Sequence, residues 1–66
     1  MEENKDIRDE LRKYKITYSE ILPYIGYKHT TRISEELALP LREGRRKIYL
    51  YAIKKVRQEK LKIYEN

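Results

Sequence analysis

The chain has 66 residues, 41% of them charged, with a formal net charge of +5, no cysteine and one histidine. This composition excludes disulfides, thiolate metal sites and a catalytic cluster of Cys and His, so we expect no enzymatic function and no cofactor. The short length predicts one domain over residues 1–66. The first ten residues are acidic and polar, unlike a signal peptide, and the longest apolar run, Ile48–Ile53, is far shorter than a membrane span of ~20 residues. We therefore predict a cytoplasmic protein without a membrane partner.

The charges are distributed unevenly along the chain. Met1 to Leu41 contains seven basic and eight acidic residues, whereas Arg42 to Tyr64 contains nine basic and two acidic residues. A concentration of cations attracts a phosphate backbone through counterion release. The basic C-terminal third therefore indicates a nucleic-acid partner, and the alternative is a solvated helix face that serves solubility.

The first predicted helix is amphipathic. Three apolar residues recur at helical spacing and form one stripe, namely Ile7, Leu11 and Tyr14. We expect Asn4 or Asp6 to cap this helix, which should end near Lys15.

The second predicted helix has the clearest start signal. Thr17 and Glu20 have the spacing of a capping box, and Ile16 and Ile21 have the spacing of a hydrophobic staple. These pairs predict that the helix begins at about Tyr18.

The same helix should end at Ile25, with Gly26 as the left-handed residue after it. Pro23 lies inside the predicted helix, where it removes a backbone hydrogen bond and clashes with the preceding turn. We therefore expect a kink or an early end.

The third helix is predicted over Thr31 to Ala38, with Thr30 or Thr31 as its cap. Ile33 and Leu37 are four residues apart and should point inward together. A helix, a glycine turn and a second helix within about 20 residues form the helix-turn-helix pattern.

Pro40 should break the third helix and open the last one, which is predicted over Leu41 to Tyr64. The segment Ile48–Ile53 is apolar all round the helix, so it should be buried on more than one side. A domain this small leaves one side of the helix uncovered in a monomer, and we expect that side to carry Tyr49 or Tyr51. This uncovered apolar surface of the last helix predicts a homodimer.

In this order, the features resemble a known family. The segment NKDIRDELRKYKITYSEILPYIG, followed by a short helix, a proline and a basic helix, is similar to small Cro/repressor-type (XRE-like) helix-turn-helix proteins of phages and mobile elements. The matching positions are Ile16-Thr17, Glu20-Ile21, Ile25-Gly26, Ser34, Leu37 and Pro40. The resemblance implies a compact, all-α, four-helix helix-turn-helix domain with a long basic C-terminal helix, double-stranded DNA as the ligand, and often a dimer.

The lead hypothesis is therefore a sequence-specific DNA-binding protein, a phage or mobile-element transcriptional regulator whose third helix enters the major groove. Arg32 is the candidate for reading a guanine, and its neighbours are candidates for phosphate contacts. The predicted groove-facing residues are Lys28, His29, Thr30, Thr31 and Arg32. A second basic cluster is predicted to clamp phosphates and consists of Arg45, Arg46 and Lys47.

The alternative is a small phage-type inhibitor or adaptor that uses the same scaffold to bind a protein. Glu35 and Glu36 favour it, because carboxylates on a groove-facing helix are repelled by phosphate. Independently of the partner, the structural alternative for Arg32 is an ion pair with Glu35 or Glu36 on its own helix. The predicted contacts to a protein partner are Tyr24, Tyr27, Tyr49 and Tyr51.

Overall fold

Four α-helices follow one another in the computed structural model, which describes the backbone of residues 3–65 and the side chains of residues 3–62. They are α1 (Lys5–Lys13), α2 (Tyr18–Ile25), α3 (Thr30–Leu37) and α4 (Glu43–Glu65). The described residues contain no strand, so the predicted all-α class is confirmed. α4 packs against α1 and α2, and α3 packs against α2. None of these described helices is long and apolar enough to cross a membrane.

A single core receives apolar side chains from every helix. Ile7 and Leu11 of the stripe predicted for α1 are buried and Tyr14 is half-buried, whereas both residues of the α3 stripe are buried. The apolar surplus of α4 is divided between a buried side and an exposed side. The buried apolar residues are Ile7, Leu11, Ile16, Ile21, Ile25, Ile33, Leu37, Tyr49, Ala52, Ile53 and Val56.

α1 ends at Lys13, earlier than the predicted end near Lys15. Lys15 has a left-handed φ of 53°, and the amide of Ile16 donates to the carbonyl of Leu11 at 2.8 Å. This hydrogen bond and the left-handed Lys15 form a Schellman motif, which ends α1 and changes the direction of the chain after it.

Asn4 stands at the N-cap of α1 but does not cap it. Its φ is 58° and its side chain makes no capping hydrogen bond. The Asn4 amide instead donates to the carbonyls of Leu37 and Leu39 at 2.9 and 2.8 Å, and Arg8 also donates to Leu37 at 3.3 Å. The predicted capping role of Asn4 is therefore wrong, because its side chain satisfies carbonyls at the end of α3.

The predicted start of α2 is confirmed. The hydroxyl of Thr17 accepts from the amide of Glu20 at 3.3 Å, and the Glu20 carboxylate accepts from the amide of Thr17 at 2.9 Å. α2 continues through Pro23 to Ile25, so the expected early end is wrong. Pro23 lies on the exposed side of α2, where water can hydrate the carbonyl that loses its helical partner.

α3 begins at Thr30. The N-cap position therefore belongs to His29, whose side chain makes no capping hydrogen bond, and the prediction that Thr30 or Thr31 caps the helix is wrong. The N-terminal amides of α3 are left without a side-chain acceptor from the cap residue.

α4 begins at Glu43, beyond the Pro40 that was predicted to open it. The reason is the position of Leu39, whose carbonyl is held against α1 by Asn4. The chain needs the following residues, through Arg42, to reach the start of α4.

The two glycines give opposite expected effects on stability. Gly26 has a φ of 98°, so Gly26→Ala should lower the free energy of unfolding by about 1 kcal/mol. Gly44 lies in the first turn of α4, and among the described residues nothing beyond its local backbone lies within 4 Å of an added Cβ. Gly44→Ala should therefore raise that free energy by roughly 0.5–1 kcal/mol. Urea unfolding followed by circular dichroism measures both, and equal effects would contradict the conformation assigned to Gly26.

Candidate nucleic-acid interface

The start of α3 is exposed. The turn from Gly26 to His29 separates it from α2, while Ile33 and Leu37 on its inner face are fully buried. The residues predicted to contact DNA follow one another on this end, Thr30 half-buried and the others exposed: Lys28, His29, Thr30, Thr31 and Arg32.

The Arg32 guanidinium is placed by an aromatic ring rather than by a carboxylate. It lies 5.4 Å from the centre of the Tyr27 ring, and the Arg45 guanidinium lies 5.2 Å from the same ring. No salt bridge among the described residues joins Arg32 to Glu35 or Glu36. A cation held over a ring keeps its N–H donors available to a further partner.

Glu36 points into the protein, although it belongs to the same helix as the exposed segment. Arg45 donates to both of its carboxylate oxygens, at 3.0 and 2.9 Å. The hydroxyls of Tyr27 and Tyr49 donate to them at 3.0 and 2.6 Å. We call these four residues the Glu36 cluster; it ties α3 to α4.

Electrostatics keep Glu36 ionised. Burial raises the pKa of Glu36, but hydrogen bonds from Arg45, Tyr49 and Tyr27 outweigh burial, so the pKa lies below its ordinary 4.5. Burial, followed by the bond to Glu36, raises the pKa of the Tyr49 hydroxyl. The bond to Glu36 also raises the pKa of Arg45. The negative charge of the ionised Glu36 is therefore compensated by Arg45, and the carboxylate does not face the solvent side of α3.

Two of the three residues of the predicted phosphate clamp bind carboxylates of the protein itself. Arg45 is bound in the Glu36 cluster, and Arg46 donates to the carboxylate of Asp6 and, at 3.4 Å, to the side chain of Asn4. The bond from Arg46 lowers the pKa of Asp6. Arg45 and Arg46 thus form ion pairs with Glu36 and Asp6, and their contact with phosphate stays a prediction. Lys47 lies outside, with its side chain 76% exposed and its Nζ 4.0 Å from the carboxylate of Glu43.

The four tyrosines predicted to contact a protein form two separate pairs. Tyr27 and Tyr49 meet at Glu36, and Tyr49 is fully buried, which removes it from any exposed surface. Tyr24 and Tyr51 meet edge-on with ring centres 6.2 Å apart. The Tyr24 hydroxyl donates to Glu59, and this bond raises the pKa of Tyr24.

A second basic surface, which the sequence analysis missed, lies where α1 ends beside α4. The Arg57 guanidinium is 3.9 Å from the centre of the Tyr14 ring. Lys60 donates to the carbonyls of Tyr14 and Lys15 at 3.4 and 2.8 Å. With Leu61, these residues line a groove of about 380 Å³. The basic last third of the sequence predicts the cations of this surface. It does not predict their contacts with Tyr14 and Lys15, because those contacts depend on the packing of α1 against α4.

The fold and the site define a compact all-α domain of four helices in its described part, with an exposed cationic end on α3. The described residues contain no group of three or more His, Asp or Glu side chains that could hold a metal ion. Comparison with known protein families, with curated proteins and with solved structures finds no match to this chain.

Proposed function

We propose that this protein binds double-stranded DNA sequence-specifically as a helix-turn-helix protein and acts as a transcriptional regulator of the phage or mobile-element type. The observation that carries the proposal is the exposed segment from Lys28 to Arg32, at the N-terminal end of a helix whose opposite face is fixed in the core. Recognition helices contact base edges from this end, and α3 is the helix that enters the major groove.

Each exposed residue has a distinct role in this proposal. Arg32 reads a guanine, because its planar fork matches the O6 and N7 acceptors. Lys28, Thr30 and Thr31 bind phosphates, together with the N-terminal amides of α3, which the side chain of His29 does not cap. Lys47 extends the phosphate contacts onto α4.

The inward orientation of Glu36 supports DNA as the ligand. A groove-facing helix with two exposed carboxylates would be repelled by phosphate, and Glu36 is instead neutralised by Arg45. Glu35 is the exposed carboxylate of α3, and a single carboxylate can accept a hydrogen bond from a cytosine amino group.

The test is selection of duplexes from a random pool by wild-type protein and by two variants. Arg32→Ala should change the preferred base at one position, at a cost of ~1–3 kcal/mol for the preferred site. Lys28→Ala should weaken all duplexes alike and reduce the salt slope by about one. Arg12→Ala is the matched control, because Arg12 is an equally charged, exposed residue of α1.

Fluorescence anisotropy at low and at physiological salt then decides the proposal. Retention of a sequence preference at physiological salt is the expected result. Weak, sequence-blind binding that salt abolishes, or equal effects of Arg32→Ala and Arg12→Ala, would exclude α3 as a recognition helix.

A further inference from the structure

α4 has an uncovered face along most of its length. Five exposed residues follow one another at helical spacing on this face, which we call the outer α4 stripe: Lys47, Leu50, Lys54, Gln58 and Leu61. Leu50 and Leu61 are 44% and 58% exposed, and Tyr51, which follows Leu50, is 52% exposed. The stripe is about 20 Å long, from the rise of 1.5 Å per helical residue.

Apolar side chains and cations alternate along this stripe, so it suits a partner that is both apolar and acidic. Leu50 and Leu61 flank Lys54, and Lys55 lies 5.6 Å from the centre of the Tyr51 ring. Near its C-terminal end the stripe also has a shallow groove, lined by Lys54, Arg57, Gln58 and Leu61. Exposed apolar side chains in a row mark interaction surfaces for proteins, since a phosphate backbone offers them nothing to pack against.

Charge decides which protein covers the stripe. The outer α4 stripe contains two cations, Lys47 and Lys54, and no acidic residue. A second copy laid along α4 in either direction would bring cations against cations, whereas carboxylates on a partner would meet Lys47 and Lys54 favourably.

We propose that the outer α4 stripe binds an acidic amphipathic helix of another protein, with Leu50 and Leu61 as the apolar contacts and Lys47 and Lys54, on either side of Leu50 along the stripe, as the cationic contacts. Apart from Lys47, the residues of this surface are not among the proposed DNA contacts, so the interaction goes beyond DNA binding. An apolar stripe flanked by Asp or Glu is the complementary chemistry.

The probe is a synthetic peptide of about 20 residues, designed as a helix with one leucine stripe flanked by glutamates, long enough to cover the stripe. Anisotropy at physiological salt should give a Kd on the order of 10 μM, and a scrambled peptide of the same composition should bind at least about tenfold more weakly, because it lacks the stripe.

Two variants test the surface. Lys54→Glu and Leu50→Ala should each weaken peptide binding by roughly tenfold. Arg12→Glu is the control for the change in net charge, since Arg12 is an exposed cation of α1, and it should leave binding nearly unchanged. Circular dichroism shows whether each variant is folded.

Three outcomes would overturn the proposal. The first is equal binding of the designed and scrambled peptides, and the second is an equal effect of Lys54→Glu and Arg12→Glu. The third is a wild-type dimer in analytical ultracentrifugation that Leu50→Ala dissociates, because a second copy would then cover the stripe.

Discussion

Glu36→Ala is expected to lower the free energy of unfolding by about 3 kcal/mol, because it leaves Arg45 and two tyrosine hydroxyls without their acceptor in a largely buried cluster. The Glu36 and Arg45 side chains are 19% and 30% exposed, so solvent screens this pair less than a surface ion pair. The measurement is urea unfolding at pH 7, followed by circular dichroism.

Glu35→Ala is the matched control for this experiment. Glu35 is the adjacent carboxylate on α3 but is exposed, so its loss should change stability by less than about 0.5 kcal/mol. Equal effects of the two substitutions would show that the Glu36 cluster does not hold α3 to α4.

The stabilisation by Glu36 should also depend on pH. Its pKa is lower in the folded state than its ordinary 4.5, so its contribution is complete above that value and is lost as the pH falls through the folded pKa. The stability difference between wild type and Glu36→Gln should therefore be largest near neutral pH and shrink as the pH falls below the ordinary value of 4.5. A difference that stays constant down to pH 3 would contradict the assignment.

Asn4→Ala is the second substitution with a large expected effect, about 3 kcal/mol of unfolding free energy. Roughly 2 kcal/mol of this comes from the two carbonyls at the end of α3 that lose their donor, and about 1 kcal/mol comes from a left-handed φ that alanine adopts poorly. Asn4→Gly separates the two causes, because glycine accepts the backbone conformation but not the hydrogen bonds.

Lys15→Gly is the control for Asn4→Gly. Lys15 is also left-handed, with a φ of 53°, but its side chain makes no hydrogen bond among those of the described residues. Lys15→Gly should therefore leave stability unchanged or raise it by up to about 1 kcal/mol. Thermal unfolding measures both variants, and a loss at Lys15 as large as the loss at Asn4 would show that the backbone, not the hydrogen bonds, dominates.

The Glu36 cluster connects stability with the proposed recognition surface. Tyr27 donates to Glu36 and also carries the Arg32 guanidinium over its ring. The Tyr27 side chain therefore connects the cluster that holds α3 to α4 with Arg32, the residue proposed to read DNA. A fixed α3 lowers the entropic cost of placing Arg32 against a base edge.

Local signals in the sequence predicted much of the helical framework. The capping box of Thr17 and Glu20, the left-handed Gly26 and the buried pair Ile33 and Leu37 are confirmed. Each depends on residues at most a few positions apart, whose hydrogen bonds and steric limits act within one helix or turn. The exposure of Lys28 to Arg32 follows from the same information, because these residues lie beside the predicted turn.

Contacts between residues far apart in the sequence determine the side-chain roles that the sequence did not predict. Asn4 serves the end of α3, 33 residues away, and Arg46 binds Asp6, 40 residues away. Periodicity places a side chain on a face of its own helix but does not say which polar group of another helix will lie opposite it. Arg45 and Arg46 therefore looked available to phosphate, and Glu36 looked exposed, until the fold brought Glu36 beside Arg45 and Asp6 beside Arg46. The sequence alone thus established the helices and their apolar faces, whereas the assembled fold determined which charges remain on the surface, because neutralisation depends on distances between helices.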